Sequence, residues 1–590
     1  MTAVSRIAAA GAAAFILLYF LTLSAPGLVT YFNPDDAMNL YGSWVQPFSQ
    51  LLKANLAYFL PSVRPLGGAF YVLLYTLFGW NAPAFTAVRF ALLALNLGIA
   101  FALVRRVTGS RETAALATLL FACHSAMADL YGSSGTFYDI LCFTGYYSAL
   151  LVYLRKPRNL LLMAVLLVAA LNAKEMAISL PAVLVAWNWL DRRPRDWAGP
   201  AVAGFLVALF LAGHLAIRGP LSNHPAYTPV FTVSRIRDTA LSYVNQVFYA
   251  WPGGGDGVVG WFTPLRLALL LAGTYAAARW LRSKPMEFGW WLAALGVSPL
   301  LLSTPRPGYA LYLPMLGLAL YAAVLLIELR ARLAGELELP VRAAFCLAVA
   351  VALVWVHLTC RQRVISTGPG GETQMRAIAS ELLRRAPAIR KGSRILFLDT
   401  PFEEHTLMEF THLLYHDRTL QVRAGSGGSL LSDYDYAFEW RDGGLRAIKL
   451  PGRTPLRAFI RVQDRDAPDH FVKDIVRDRN GGAYGWTYQN PELDFRVEPA
   501  PGLRLVVEFV ITEVTFRQTG TQTVEFLVNG ALVGRERYTE PGLKTFQRNL
   551  PPACLQGEQA RVAMHIAPPY VAAGDGAKLG VLLLAAGFTR

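Results

Sequence analysis

The sequence predicts a polytopic α-helical membrane protein of about eleven transmembrane helices, followed by an extracytoplasmic tail with an α/β part and a β-sandwich. Three observations carry this prediction. Of 590 residues, 54% are apolar and 16% charged, whereas a soluble globular chain has about 25% charged residues. The apolar residues gather in the first 360 positions, in stretches near the roughly 20 residues that a bilayer demands. From residue 485 onward the pattern turns to apolar–polar alternation.

The net charge of +15 (55 Lys and Arg against 40 Asp and Glu) raises nucleic acid as a partner, and its distribution excludes that partner. Residues 1–360 hold 25 basic and 14 acidic side chains, against 30 and 26 in residues 361–590. The surplus therefore belongs to the apolar part, where it marks topology. Cysteines form no CxxC, no zinc spacing and no disulfide framework.

Taken in order, spans are expected near 7–25, 83–104, 112–128, 134–154, 159–172, 175–190, 197–217, 264–282, 288–303, 309–329 and 341–359. Placing the N-terminus in the cytoplasm puts 16 of the 25 basic residues on inner loops, among them Arg105, Arg106, Arg155, Lys156, Arg192, Arg193, Arg279 and Arg330. Each inner loop then obeys the positive-inside rule. An odd number of spans leaves residues 361–590 outside, so the expected location is the inner (cytoplasmic) membrane with a periplasmic C-terminal part. The expected domains are 1–360, with a first outer loop over 26–82, a small α/β domain over 361–484, and an antiparallel β-sandwich over 485–590. Within the outer loop, 37–59 and 66–80 read as helices lying in the membrane interface. In the sandwich, Asn529-Gly530 between two apolar runs reads as a type I′ hairpin.

Chemistry-bearing residues collect on the outer face. Asp35-Asp36 follow the first span in "YFNPDDAMNLYGSW". Such a pair can act as general base toward a hydroxyl, hold a divalent cation, or cap the next helix. At the same depth stand Arg64, His124, Asp129, Asp139, Lys174, Glu175, Arg218, Arg306 and Tyr309. Ionisable groups at membrane depth are costly and face a cavity or a partner. Acids and bases converging from separate loops suit a site where a base meets an anionic donor.

These residues resemble a family. The acid pair in the first outer loop of a many-span chain looks like the GT-C glycosyltransferases. The segments "SVRPLGGAFYVLLYTLFGWNAPAFTAVRFALLALN", "LLFACHSAMADLYGSSGTFYDIL" and "LNAKEMAISLPAVLVAWNWL" are similar to the transmembrane O-mannosyltransferases that carry TPR repeats. Those enzymes show Arg-Pro-Leu after the acid pair, a "FAxHP…E" segment with a later Gly…Asp, and Lys-Glu followed by "ITLP". The matching positions are Arg64-Pro65-Leu66, His124, Asp129, Asp139 and Lys174-Glu175. Val63, Ser125 and Met127 depart from the pattern, and no TPR period is present.

The resemblance implies an inverting transferase that moves one hexose or pentose from a polyprenyl-phosphate carrier to a hydroxyl of a glycan, lipid or protein. The base is expected to be Asp35 or Asp36, with a slight preference for Asp36, its partner then capping the helix or coordinating. Arg64, Lys174, Arg218 and Arg306 are expected to hold the donor phosphate, with His124, Asp129, Asp139, Glu175 and Tyr309 in support. No cofactor is assigned with certainty; a divalent cation is a candidate, with Asp35 and Asp36 as the residues that would hold it. The competing classes are a lipid-linked glycan flippase and a non-catalytic membrane scaffold.

Overall fold

The computed structural model describes residues 24–56 (26 excepted), 64–124, 127–191, 197–218, 229–248, 262–333 (307 excepted), 351, 371–425, 431, 434–476 (451–455 and 465 excepted) and 485–590 (552–553, 556 and 573–576 excepted). The chain has a helical N-terminal region with apolar helices and a C-terminal β-sheet region. Its contacts divide it into two units, Met1–Arg384 with Glu409–Arg418, and Arg385–Met408 with Thr419–Arg590.

In the first unit the outer-loop helices are α1 (Pro34–Trp44), α2 (Phe48–Leu56) and α3 (Pro65–Phe78). The bundle follows as α4 (Ala82–Thr108), α5 (Arg111–Ala122), the short α6 (Ala128–Gly132), α7 (Phe137–Arg155), α8 (Leu160–Ala173), α9 (Leu180–Leu190), α10 (Ala198–Arg218), α11 (Val233–Val247), α12 (Pro264–Trp280), α13 (Lys284–Val297) and α14 (Tyr312–Leu333). Helix α15 (Glu372–Arg385) comes next. By length and composition, Ala82–Thr108, Ser134–Arg155, Ala198–Ala216 and Gly308–Arg332 can cross a membrane, and Pro65–Phe78, Leu160–Ala173 and Glu175–Leu190 are shorter apolar helices. The expected spans 7–25 and 341–359 lie almost wholly outside the described residues.

Local sequence sets the helix ends. Asn33 caps α1 and Asn81 caps α4, each accepting a backbone N–H three residues on, with Pro in the first turn. Helix α4 ends on Gly109 (φ +71) with Arg105 and Arg106 in its last turn, where cations complement the helix dipole. The inner core is rich in aromatic rings; Phe121, Phe143 and Tyr312 stack with centroids 4.5–5.3 Å apart. Helices α13 and α14 touch through Gly289 and Gly317: a Cβ on Gly317 would stand 2.5 Å from the Ala293 nitrogen and 2.7 Å from the Gly289 carbonyl oxygen. Small residues of this kind let helix backbones approach inside a bilayer.

Helix α11 had no counterpart in the expected pattern. It lies between α10 and α12, carries Arg235, Arg237 and Asp238, and buries Thr239, Tyr243, Asn245 and Gln246. Its polar composition hides it from a hydropathy reading.

The second unit holds two sheets. In the smaller, β1 (Arg394–Leu398) lies parallel to both β2 (Gln421–Gly425) and β3 (Tyr436–Arg441), and β4 (Gly444–Ala447) closes the order β2-β1-β3-β4. All five residues of β1 are buried, as a central parallel strand requires. Helix α16 (Glu404–Tyr415) lies in the crossover between β1 and β2.

The larger sheet has ten strands: β5 (Phe459–Arg461), β6 (Phe471–Ile475), β7 (Gly485–Arg496), β8 (Arg504–Ile511), β9 (Gln522–Val528), β10 (Ala531–Tyr538), β11 (Gly542–Asn549), β12 (Gln559–Ala567), β13 (Tyr570–Val571) and β14 (Lys578–Thr589). Short helices α17 (Ala467–His470) and α18 (Glu513–Thr519) interrupt it. The main path is β10-β9-β12-β7-β14-β8-β11, yet Phe526 of β9 stacks on Phe546 of β11 at 3.8 Å. Rings from distant strands meet only if the sheet folds over on itself, which makes it a sandwich. Asn529 (φ +50) and Gly530 (φ +83) both take positive φ between β9 and β10, as the type I′ turn needs.

Candidate active site

Helix α1 begins with a capping box. Asn33 Oδ1 accepts the Asp36 N–H at 2.9 Å, and Asp36 Oδ2 accepts the Asn33 N–H at 3.0 Å. Asp36 Oδ1 also accepts the Ser133 hydroxyl at 3.1 Å and the Gly135 N–H. Ser133 Oγ accepts from Asn33 Nδ2 at 3.2 Å, closing the ring of bonds. Asp36 is 2% exposed, whereas Asp35 beside it is exposed and only its backbone oxygen is engaged, by Asn39 Nδ2 at 2.8 Å.

The capping role expected of Asp35 therefore falls to Asp36. The reason is helix register: only the third helical residue can reach back to the cap N–H. This places the reachable carboxylate at Asp35.

Burial pushes the Asp36 carboxyl up to about 6; the N–H of Asn33, the charge of Arg89, the Ser133 hydroxyl and the Gly135 N–H oppose that rise without cancelling it. A carboxyl with a raised folded-state pKa binds its proton more tightly in the native protein than in the unfolded chain. Stability from this group is thus greatest at low pH and falls as pH rises from about 4 to about 6. The melting temperature of the wild type, minus that of Asp36→Asn, is expected to decrease across this window and level off above it. A difference that rises with pH would contradict the assignment.

The loop that cradles Asp36 is itself held by Arg89, a fully buried residue of α4. Its guanidinium donates to Ser134 Oγ (3.1 Å), to the Tyr131 carbonyl (2.9 Å), to the Gly27 carbonyl (3.1 Å) and to Thr30 Oγ1 (3.0 Å). Arg89 thereby ties the segment 27–30, the α6 turn and the Ser134–Thr136 turn into one platform under α1. Arg89→Met is expected to leave these acceptors unsatisfied and to cost about 2–4 kcal/mol, read as a lowered melting temperature. Arg89, Asn33, Ser133 and Gly135 were not singled out in the sequence. The Ser-Ser-Gly run between two apolar segments is the one local sign of a built loop.

A second group forms where α8 ends. Lys174 is extended (φ −160, ψ 146) between α8 and the 3-10 turn Glu175–Ser179. Successive side chains in extended backbone point to opposite sides, so Lys174 and Glu175 find different partners. Lys174 Nζ donates to Asp139 Oδ1 at 2.5 Å and lies 5.4 Å from the Tyr309 ring centre. Glu175 accepts both prongs of Arg64 at 3.0 Å, with the guanidinium 5.3 Å from the Tyr138 ring centre. Arg64 heads α3 in a left-handed conformation (φ +52). Left-handed backbone in a non-glycine residue costs about 1–3 kcal/mol and persists where surroundings over-determine it; here the Glu175 fork and Pro65 do so.

Tyr71 of α3 joins the two groups. Its hydroxyl donates to the Ser134 carbonyl at 2.5 Å, its ring packs on Tyr138 at 5.4 Å, and it lies in electrostatic range of both Asp36 and Asp139.

Arg306 and His124 both meet α11. The Arg306 N–H donates to the Tyr243 hydroxyl at 3.2 Å and its carbonyl accepts Gln246 Nε2 at 3.1 Å. His124 Nε2 lies 3.0 Å from the Val247 carbonyl. Asp129 opens α6, its carbonyl accepting the Ser133 N–H at 2.9 Å, and burial pushes its carboxyl up to about 6. Arg218 is the last residue of α10, and its side chain lies outside the described residues.

Among the described residues no group of three or more His, Cys, Asp and Glu stands together as a metal cage. Around the acid pair, Asp36 Oδ1 already accepts two donors and Oδ2 one, whereas the neighbouring Asp35 carboxylate is exposed.

No family model matches the chain, and no curated protein matches it by sequence. Among solved structures it is similar to ArnT from Cupriavidus metallidurans bound to undecaprenyl phosphate, at 15% identity and a TM-score of 0.40, over 73% of this chain and 93% of that one. It is also similar to the apo oligosaccharyltransferase of Archaeoglobus fulgidus, at 11% identity and a TM-score of 0.40, over 95% and 97% of the two chains. At such identities and scores no residue role passes from those proteins to this chain.

Proposed function

We propose that this protein is an inverting membrane glycosyltransferase that moves one sugar from a polyprenyl-phosphate carrier to an acceptor hydroxyl on the outer face of the cytoplasmic membrane. The observation that carries the reading is that Tyr71 links the Asp36 cradle to the Lys174–Asp139 pair, with Arg64 held by Glu175 next in sequence to Lys174 and an exposed Asp35 beside Asp36. The residue pattern of a first-loop acid pair, Arg-Pro-Leu and Lys-Glu supports the same reading.

The chemistry follows from charge. Asp35 takes the proton of the acceptor hydroxyl while that oxygen bonds to the anomeric carbon. The anomeric C–O bond to phosphate breaks on the opposite face, and the lipid phosphate leaves with the bonding electrons. Attack opposite the leaving group inverts the centre. Negative charge grows on the departing phosphate, and fixed cations stabilise it. Lys174 carries three N–H donors, of which Asp139 takes one; Arg64 gives Nε and Nη2 to Glu175 and brings a fixed guanidinium charge. Phosphate leaves without a separate carboxylic acid.

The positive charge of the expected inner loops supports a cytoplasmic N-terminus, with α1 and the C-terminal unit on the outer side. The test is transfer of radiolabelled sugar from polyprenyl-phosphate donors in membranes holding the full-length protein. Transfer from at least one such donor is expected; its absence across hexose and pentose donors would overturn the reading.

A further inference from the structure

The second half of helix α16 belongs by its contacts to the helical unit, although the chain on both sides of it belongs to the other. Residues 409–418 lie against the outer-loop helices through a dense set of aromatic and imidazole contacts. His412 Nδ1 and the Tyr41 hydroxyl share a hydrogen bond of 3.0 Å. Arg418 lies 4.1 Å over the Trp44 ring and donates to the carbonyls of Val45 (3.2 Å) and Trp44. His416 stacks on Tyr75 at 5.1 Å with 20° between planes, and meets Trp44 at 5.2 Å. The Tyr75 hydroxyl donates to the Leu413 carbonyl at 2.5 Å, and Phe410 meets Trp80 at 5.7 Å.

Three of these partners sit on two helices. Tyr41 and Trp44 are on α1, which carries Asp35 and Asp36; Tyr75 is on α3, which Arg64 heads. The segment thus bridges the helix with the base and the helix with the phosphate ligand. Phe410, Thr411, His412 and Leu413 are all at most 4% exposed. His416 takes a left-handed backbone (φ +53) just past the end of the helix, where the Asp417 N–H returns to the His412 carbonyl at 2.9 Å.

We propose that Glu409–Arg418 is a positioning clamp that fixes α1 against α3, with His412, His416 and Arg418 as positioning residues for the transfer reaction. The catalytic consequence rests on the glycosyl-transfer reading above; the mechanical one does not. The orientation of α1 sets where Asp35 stands. A shift of about 1 Å in a reacting group can lower turnover by orders of magnitude while binding is kept.

The experiment uses the full-length protein in lipid nanodiscs and compares wild type with His416→Ala/Arg418→Ala. Amide exchange over 34–44 is expected to quicken by about tenfold or more while exchange over 137–155 stays unchanged. The turnover number is expected to fall about tenfold with KM for the lipid donor within about twofold, the split that a misplaced base gives. Arg418→Lys, which keeps a cation above Trp44, is expected to retain more turnover than Arg418→Gln. Unchanged exchange over 34–44 overturns the clamp, and so does a loss confined to KM. If exchange rises in both segments because the double variant unfolds, Tyr41→Phe, which removes only the hydroxyl bonded to His412, is read by the same criteria. Quickened exchange in a protein whose wild type transfers no sugar would uphold the clamp and remove the transferase reading.

Discussion

Asp35→Asn is expected to lower sugar transfer by about 10²–10⁴-fold, the usual contribution of a positioned general base, with donor affinity and melting temperature unchanged. The fold should not notice the change, because the Asp35 side chain is exposed and only its backbone oxygen is bonded. Asp36→Asn is expected to behave differently. The amide replaces a carboxylate oxygen by a donor, so one of the N–H or O–H groups of Asn33, Ser133 and Gly135 loses its acceptor in a buried place. That costs about 1–3 kcal/mol, and activity falls with stability because α1 is no longer fixed. The two variants therefore separate by thermal melting before any kinetics are measured. A melting temperature untouched by Asp36→Asn, together with full activity in Asp35→Asn, would return the base to Asp36.

That division of labour between adjacent aspartates shows where sequence reading stops. Asn-Pro-Asp-Asp marks a helix start, and both acids suit a first turn. Which one turns inward depends on the Ser133 hydroxyl and the Gly135 N–H, about a hundred positions away. Lys174, Glu175, Asp139 and Arg64 were legible for the opposite reason. Charges that interrupt apolar stretches have no cheap place in a bilayer, so each one advertises a partner. Arg89 has the same property but sits inside the 27-residue helix α4, and its acceptors are largely carbonyl and hydroxyl groups that carry no charge signal. The clamp on α1 is further from reach still, since Tyr41 and His412 are 371 positions apart. The sandwich, by contrast, announces itself locally: alternation and one Asn-Gly pair specify strands and turn, and only the folding-over of the sheet needs the stack of Phe526 on Phe546.

Lys174→Met is expected to be the most damaging single change in the cation group, and two effects must be told apart in it. Asp139 is 7% exposed, and removing Lys174 strands its charge in the bundle. Breaking a buried pair from one side costs about 3–5 kcal/mol, whereas removing both partners is often close to neutral. The double variant Lys174→Met/Asp139→Asn is therefore expected to recover most of the melting temperature that the single variant loses. Transfer should not recover with it. If Lys174 neutralises the departing phosphate, the double variant folds and still loses about 10²–10³-fold in kcat/KM for the lipid donor, the scale of one electrostatic stabiliser in a dry site. The alternative is that Lys174 serves only to balance Asp139, in which case activity returns along with stability. Arg64 gives an independent check, because Glu175 holds it through two equal 3.0 Å bonds. Arg64→Lys keeps the charge and loses the planar fork, so donor use should weaken while acceptor KM holds. Loss of both kinetic terms alike would point instead to the left-handed turn at the head of α3 as the feature that Arg64 maintains.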